Sequence, residues 1–286
     1  NTTGSNNIAV GYVSLTNNTT GGSNSALGTN SLQANTTGSS NTACGKGALA
    51  SNTTASNNTA VGVDALVSNT TGVENTAVGN TAMTSLTTGQ YNTAVGQAAA
   101  NTLSTGESNT CVGINAGYNL TTGSNNTLLG TNAGRSSSPS GILTTHDNMI
   151  CFGNNSITEA HIKVALTVSS DERDKTDITD FTKGLDIINS LRPVTYRWDM
   201  RSDYSDDLSV NPDGTKKKSR LNIGLIAQEL ETVEKANGYA NSKDDRLFIS
   251  KSDDDKNYGI AYEKLIPVLI NAVKELSAKV TALETG

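Results

Sequence analysis

The sequence predicts two unlike architectures in one chain. We expect a mainly β N-terminal half, built as a trimeric β-solenoid or β-roll of 17-residue coils, followed by an α+β domain that ends in a coiled-coil helix. A repeat of constant period, an abrupt change in charge content and a C-terminal heptad pattern support this expectation. The expected divisions are a repeat shaft over 1–156, a neck or linker over 157–169 and a separate domain over 170–286.

A short motif, Asn-Thr-Ala-Val-Gly or a close variant, recurs every 17 residues. A second mark, Thr-Thr-Gly or a close variant, keeps the same step, and Ala55 replaces its glycine once. A constant period without insertions is typical of a solenoid whose coils stack on one another. The glycine of the first motif falls at positions 11, 28, 45, 62, 79, 96, 113 and 130.

Each repeat unit holds small apolar residues and corner residues. In one unit, Ala60 and Val61 form an apolar pair, and Ala65 and Leu66 form a second. Glycines provide corners with positive φ, and asparagines can hydrogen-bond to equivalent asparagines in adjacent coils as ladders. Because the apolar pairs fall on more than one face, we expect some faces to pack against sister chains.

Charge content changes sharply where the repeat ends. Residues 1–156 contain six charged side chains, and the remaining residues contain the other 42. The 17-residue step breaks after Gly130, and the next glycine of the series, Gly153, lies 23 residues further on. We expect the solenoid to end there, with a strand-rich segment over 157–168. The net charge of −6 indicates no nucleic-acid surface, and no apolar run approaches the ~20 residues that span a bilayer.

No cofactor or metal site is expected from the sequence. Cys44 and Cys111 occupy small apolar positions of the repeat and Cys151 lies at its end, so we interpret all three as buried substitutes for Val or Ala. The acidic stretch Asp253–Asp255 is interpreted as a solvated turn, with calcium binding as the alternative. Because the chain starts inside a repeat and without methionine, we expect it to be the C-terminal part of a longer protein.

The C-terminal half has the patterns of an α+β domain. Apolar residues spaced by three and four after Asp180 predict a helix over 181–191, which Pro193 ends. A short helix is expected from Ala227. Strands are predicted over 194–199, 221–226, 248–249 and 258–260.

The last helix has the a/d pattern of a coiled coil. This seam predicts self-association of identical chains, with packing onto the chain's own domain as the alternative. Pro267 must lie in the first helical turn or kink the helix. The seam residues are Ile266, Leu269, Val273, Leu276, Val280 and Leu283.

Four segments follow one another in the C-terminal half: Ser170–Lys175, Leu191–Trp198, Gly224–Glu229 and Tyr262–Pro267. In this order they resemble the marks of the peptidase S74 family, the C-terminal intramolecular chaperone domains of phage tailspikes, endosialidases and tail fibres. The likeness covers roughly 169–286. The repeat units resemble, more loosely, head repeats of trimeric autotransporter adhesins and repeats of viral tail fibres, whose period differs.

The resemblance to peptidase S74 implies a homotrimeric chaperone that promotes folding of the preceding β-structure and then cuts itself between Ser169 and Ser170. In that family pattern Ser170 would be the nucleophile and Lys175 the general base, with Asp171 and Arg173 in support. A lysine can take the serine proton only when its surroundings favour the neutral amine. Since a spacing of five does not place two side chains on one helix face, the segment must be a turn that folds Lys175 back. The alternative is a linker with a solvated lysine.

We therefore expect the C-terminal part of a phage tail fibre or tailspike, assembled in the host cytoplasm and located in the virion. The expected partners are copies of the chain itself and a host cell-surface receptor or glycan, without nucleic acid or membrane insertion. The alternative is a non-enzymatic trimeric surface adhesin or ice-binding solenoid whose C-terminal domain serves only as a trimerisation module. Regular threonines favour ice binding, and sequons such as Asn52-Thr53-Thr54 offer glycan sites in a secretory context.

Overall fold

The computed structural model describes residues 1–163, 168–205, 208–251 and 257–285. The chain divides into two compact units, one formed mainly by Asn1–Thr158 and the other by Glu159–Tyr204 together with Ser209–Gly286. The acidic stretch Asp253–Asp255 lies outside the described residues. In the segment expected to be strand-rich, the described residues 157–163 and 168 form no strand.

The N-terminal unit is a parallel β-solenoid. Each coil contributes one three-residue strand to a nine-stranded sheet in which the strands follow chain order. Every register offset from the first strand to the eighth is 17 residues, which confirms the predicted solenoid of 17-residue coils. The strands are β1 (Ile8–Val10), β2 (Ser25–Leu27), β3 (Thr42–Cys44), β4 (Thr59–Val61), β5 (Thr76–Val78), β6 (Thr93–Val95), β7 (Thr110–Val112), β8 (Thr127–Leu129) and β9 (Ile150–Phe152).

The break in the repeat does not interrupt the sheet. Strand β9 pairs with β8 in parallel, with Thr127 opposite Ile150, at an offset of 23 residues. The additional residues form turns between the two strands, and the hydroxyl of Ser138 lies 2.8 Å from the sulfur of Cys151. The longer coil therefore absorbs its insertion outside the strand.

Strand alternation decides which of the predicted apolar residues are buried. Ala60, in the middle of β4, is completely buried, whereas Val61 is 37% exposed, because successive strand side chains point to opposite faces. The second apolar pair, Ala65 and Leu66, is completely buried. The solenoid interior is thus built from small residues and one or two large residues per coil, and the Val61 position faces outward.

Two buried asparagine columns connect the coils, as the sequence predicts. In one column the amides of Asn18, Asn35, Asn52 and Asn69 each donate to the equivalent asparagine of the preceding coil over 2.8–3.1 Å. In the other, the backbone N–H of Asn58 donates to the side-chain oxygen of Asn41 at 3.0 Å, and this contact repeats along the sheet. Such bonds satisfy polar groups that would otherwise be costly to bury.

The asparagine column also bears on the sequon alternative. Asn52 is fully buried, and its amide donates to the side-chain oxygen of Asn35 at 2.8 Å and to the carbonyl of Ala55 at 3.0 Å. A glycan could not be attached to this nitrogen in the folded coil. The sequon Asn52-Thr53-Thr54 is therefore a structural element of the coil and no exposed glycan site.

The C-terminal unit has helices and small sheets, which confirms the expected mixed character. Its helices are α1 (Leu185–Ser190), α2 (Ala227–Ala236) and α3 (Leu265–Thr285). Strand β10 (Val194–Tyr196) pairs antiparallel with β11 (Asn222–Gly224), and β12 (Ile249–Lys251) pairs antiparallel with β13 (Tyr258–Ile260). Short 3-10 helices occur at Glu172–Asp174, Arg201–Asp203 and Tyr262–Lys264. The core consists of Ile187, Leu230, Phe248, Ile249, Leu265 and Val268.

Helix α1 is shorter than predicted. It begins at Leu185 after Gly184, and not at Phe181 after Asp180. The side-chain amide of Asn271, on α3, donates to the carbonyl of Phe181, so a tertiary contact holds the residues before Gly184 out of the helix. Pro267 lies in the first turn of α3, as required. In the described part of the chain, no helix combines the length and apolarity needed to cross a membrane.

Candidate functional site

Asp171 organises the segment Ser170–Lys175. Its carboxylate caps the 3-10 helix Glu172–Asp174 by accepting the backbone N–H of Arg173 at 3.0 Å. The Arg173 guanidinium donates to both carboxylate oxygens, at 3.0 and 2.6 Å. The side-chain and backbone hydrogen bonds from Arg173 lower the pKa of Asp171 below its ordinary value. The cap is therefore ionised at neutral pH, and it stabilises the turn.

This turn brings Lys175 back to Ser170. The backbone N–H of Lys175 donates to the carbonyl of Glu172 at 3.1 Å, and the lysine Nζ lies 2.6 Å from Ser170 Oγ and 3.3 Å from the Ser170 carbonyl oxygen. A nitrogen–oxygen distance of this size is within reach for proton transfer. The turn supplies the folding back that a spacing of five residues demands.

The segment is open to solvent in the single chain. All residues from Ser169 to Lys175 are exposed. A serine hydroxyl is a weak nucleophile, and an amine accepts its proton well only in a site that disfavours the ammonium form. A single chain thus provides the contact between Ser170 and Lys175. Among the described residues, however, none buries the two side chains away from solvent.

The other three segments that resemble the family motifs are packed together. Arg192 donates to both carboxylate oxygens of Glu229, and the bond from its Nε measures 3.2 Å. The hydroxyl of Tyr262 accepts the backbone N–H of Leu225 at 2.9 Å. A Cβ on Gly224 would lie 2.6 Å from that hydroxyl oxygen. The three segments therefore contact one another directly.

These pairings were not predicted from the sequence. Arg192 and Glu229 are 37 residues apart, as are Leu225 and Tyr262, and no local periodicity relates positions so far apart. The available signal was only that each residue falls within a motif of unusual composition. The Arg192–Glu229 and Leu225–Tyr262 contacts position β11 and α2, and neither contact involves Ser170.

The predicted coiled-coil seam is exposed along α3. Its residues Ile266, Leu269, Val273, Leu276, Val280 and Leu283 range from 46% to 84% exposed. A different face of the helix, with Leu265, Val268 and Ala272, is buried against the C-terminal unit. Packing on the chain's own domain, the alternative for this seam, is therefore wrong.

Residues before the predicted cut also contact the C-terminal unit. The carboxylate of Glu159 accepts from Arg220 at 2.9 Å and lies 3.0 Å from the ring of His161. All of these side chains are well exposed, so each ion pair contributes little by itself. The contact shows that the compact unit begins before Ser169.

Cysteine and metal chemistry find little support in the described residues. The three cysteines are free, and Cys111 and Cys151 are buried as predicted, whereas the prediction is wrong for Cys44, which is partly exposed at the end of β3. Burial raises the pKa of the Cys111 thiol to about 12, which makes this thiol unreactive. Among residues 1–163, 168–205, 208–251 and 257–285, no three His, Cys, Asp or Glu side chains are grouped as metal ligands.

The chain thus combines a parallel β-solenoid with a C-terminal unit of helices and small sheets, and this unit contains the contact between Ser170 and Lys175. Residues 170–239 match the family model described as chaperone of endosialidase, peptidase S74. The match starts at Ser170 and includes three of the four segments above, while Tyr262–Pro267 lies beyond its end. The combination of this domain with a β-solenoid fits a phage tail-fibre or endosialidase-like protein. No curated protein and no solved structure matched the chain.

Proposed function

We propose that this chain belongs to a phage tail fibre or tailspike, and that its C-terminal domain assists trimerisation and folding of the solenoid and then cuts the chain between Ser169 and Ser170. The observation that carries the proposal is the 2.6 Å contact between Lys175 Nζ and Ser170 Oγ, at the residue where the family match begins. In this proposal the fibre resides in the virion and its solenoid faces a host receptor or glycan.

The cut follows from the chemistry of the pair. Neutral Lys175 accepts the hydroxyl proton while Ser170 Oγ attacks the carbonyl carbon of Ser169. The C–N bond between residues 169 and 170 then breaks, the proton passes to the departing amine of Ser170, and the acyl group remains on Oγ as an ester. Water hydrolyses this ester, which leaves a carboxylate on Ser169 and a free amino terminus on Ser170. Each chain reacts once.

Assembly is proposed to switch on the reaction. The pair is exposed in one chain, while the α3 seam is exposed and patterned for self-association. If neighbouring chains cover the segment 170–175, water is excluded and the neutral amine is favoured. Cleavage would then report that the fibre has assembled.

The experiment is denaturing electrophoresis of the purified full chain, with amino-terminal sequencing of the smaller product. We expect products 1–169 and 170–286, with Ser170 as the new terminus. Ser170→Ala and Lys175→Ala should leave the chain intact, while Ser169→Ala and Lys163→Ala, which change a neighbouring serine and another exposed lysine, should still be cut. Hydroxylamine should accelerate fragmentation by trapping the ester. Cleavage that persists in both Ser170→Ala and Lys175→Ala would exclude the dyad.

A non-enzymatic ice-binding solenoid is a second candidate because of one observation. The second threonine of each Thr-Thr-Gly mark is exposed in every coil, which gives one continuous column of hydroxyl and methyl groups. Thermal hysteresis by the intact protein, abolished by Thr71→Tyr, would favour this function. The column consists of Thr3, Thr20, Thr37, Thr54, Thr71, Thr88, Thr105, Thr122 and Thr145.

A further inference from the structure

The outward side of the solenoid sheet carries an unbroken apolar column. In each strand the middle residue points inward, and the first and third residues point outward. The third residue of each strand is apolar in all nine strands of the sheet. We call this set the valine column: Val10, Leu27, Cys44, Val61, Val78, Val95, Val112, Leu129 and Phe152.

The apolar character belongs to this column and not to the coil surface in general. Two residues further along each coil, the equivalent positions vary between charged, polar and apolar side chains. They are Tyr12, Thr29, Lys46, Val63, Asn80, Gln97, Ile114 and Thr131. All six charged side chains of residues 1–156 also lie outside the strands. The valine column is thus kept apolar where its neighbour is not.

The column is substantially accessible in the single chain. Val61, Val95 and Val112 are 36–38% exposed, and the ends of the column are more open, with Val10 at 55% and Phe152 at 65%. At about 4.8 Å per coil the column runs for roughly 40 Å. An exposed apolar strip of this length on a soluble protein marks an interaction surface.

We propose that the valine column is the surface through which the solenoids of identical chains pack on one another, coil against equivalent coil. The inference rests on the self-association in the proposed function and identifies the face that the solenoid uses. A column of like apolar residues is complementary to itself, because equivalent residues can meet without opposing equal charges. Two outward positions in each of nine strands also approach the roughly 20–30 residues per partner of a standard interface.

A second copy of this chain is favoured over a foreign partner by an independent feature. The a/d seam of α3 is exposed and favours association of identical helices. A parallel coiled coil brings copies together in the same orientation, and equivalent coils can then face each other in register. A foreign partner would not explain why the same residue types recur in every coil.

Cys44 is a natural probe of this packing. It lies in the valine column and is partly exposed, while Cys111 and Cys151 are buried. A disulfide forms only when the two Cα atoms approach within about 7 Å. Oxidation of the assembled full chain with copper-phenanthroline should therefore link two chains through Cys44, and Cys44→Ser should abolish the linked species on a non-reducing denaturing gel.

Matched variants locate the surface. On the Cys44→Ser background, Val61→Cys should restore the cross-link, and Thr71→Cys, an exposed residue of the adjoining turn outside the valine column, should not. In the natural background, Val61→Glu should lower the molar mass measured by light scattering or the midpoint of thermal unfolding. Val63 has similar exposure and lies two residues after Val61, in the set of positions that varies between charged, polar and apolar side chains. Val63→Glu should change neither the molar mass nor the midpoint of thermal unfolding.

The outcomes separate this inference from the proposed function. Absence of cross-links at positions 44 and 61 in a chain that is still oligomeric would overturn the valine column as the interface, as would equal cross-linking at position 71. Both results would leave self-cleavage intact, because cleavage is read from band sizes on the reduced gel. Conversely, cross-linking at 61 in a chain that never cuts itself would support the interface and reject the dyad.

Discussion

Asn69 and Leu86 occupy equivalent positions in successive coils, and the polar column ends between them. Asn69 donates to the side-chain oxygen of Asn52 at 3.0 Å, but its own side-chain oxygen is buried and has no hydrogen-bond partner among the described residues. From Leu86 onward the position holds leucine, at Leu86, Leu103, Leu120 and Leu143, all of them buried. This column therefore changes from hydrogen-bonded to apolar at one coil boundary, while the other asparagine column continues through Asn126.

The loss in the free energy of unfolding that a substitution causes should depend on where the substitution lies relative to this boundary. Asn52→Leu would leave the side-chain oxygen of Asn35 without its donor and remove one acceptor from Asn69, so we expect a loss of about 2–3 kcal/mol in the free energy of unfolding. Asn69→Leu only moves the boundary by one coil and should cost less than about 1 kcal/mol. Denaturant unfolding followed by circular dichroism measures both, and equal losses would contradict the argument.

The two glycine columns of the solenoid should differ in their tolerance of alanine. Gly62 has φ +135°, and a Cβ there would lie 2.4 Å from the carbonyl oxygen of Gly79. Gly72 lacks the positive φ, although its Cβ would also meet a carbonyl, and Ala55 already occupies an equivalent position. Gly62→Ala should therefore lower stability by at least about 3 kcal/mol, or prevent folding. Gly72→Ala should fold, with a smaller loss in thermal unfolding.

Asp171 should act on cleavage through the shape of the turn. Asp171→Asn keeps an acceptor for the Arg173 N–H but loses the charge, and Asp171→Ala loses both. We expect severalfold slower cleavage for the alanine variant and a smaller effect for asparagine, measured by timed electrophoresis. Asp180→Ala, at a nearby exposed carboxylate, is the control. Equal rates for all three variants would remove Asp171 from the site.

The pH dependence of this effect has a definite sign. The pKa of Asp171 is depressed in the folded turn, so its stabilising charge is fully present above the ordinary aspartate value of about 3.9 and is lost as pH falls through the lower folded value. The ratio of cleavage rates between the natural chain and Asp171→Asn should therefore stay constant from about pH 5 to pH 8. A ratio that collapses within this window would show that another group is responsible.

The exposed seam of α3 should control association. Leu276→Lys places a charge at a d position that is 53% exposed in the single chain and should shift the protein to smaller assemblies in light scattering. Ala278→Lys, on the same helix but outside the seam, should have no effect. If cleavage depends on assembly, Leu276→Lys should also slow it, most strongly in dilute protein.

Long repetition made the solenoid predictable, and short elements made the rest harder. The 17-residue step determines the register of every pair from β1 to β8, but a three-residue strand does not show which of Ala60 and Val61 points inward. The start of α1 depends on Asn271, far along the chain, so local capping signals misplaced it. At the candidate site, the spacing of Ser170 and Lys175 required a turn, and the turn is present. The catalytic role of the two residues stays a prediction.

The compact C-terminal unit begins at Glu159, before the proposed cut after Ser169. The proposed scission and the separation of the two products would therefore be two distinct events. A nicked chain would still keep the contact between Glu159, before the cut, and Arg220, after it. Native electrophoresis should show one species where denaturing electrophoresis shows two, and raised ionic strength should shorten the delay before the domain departs.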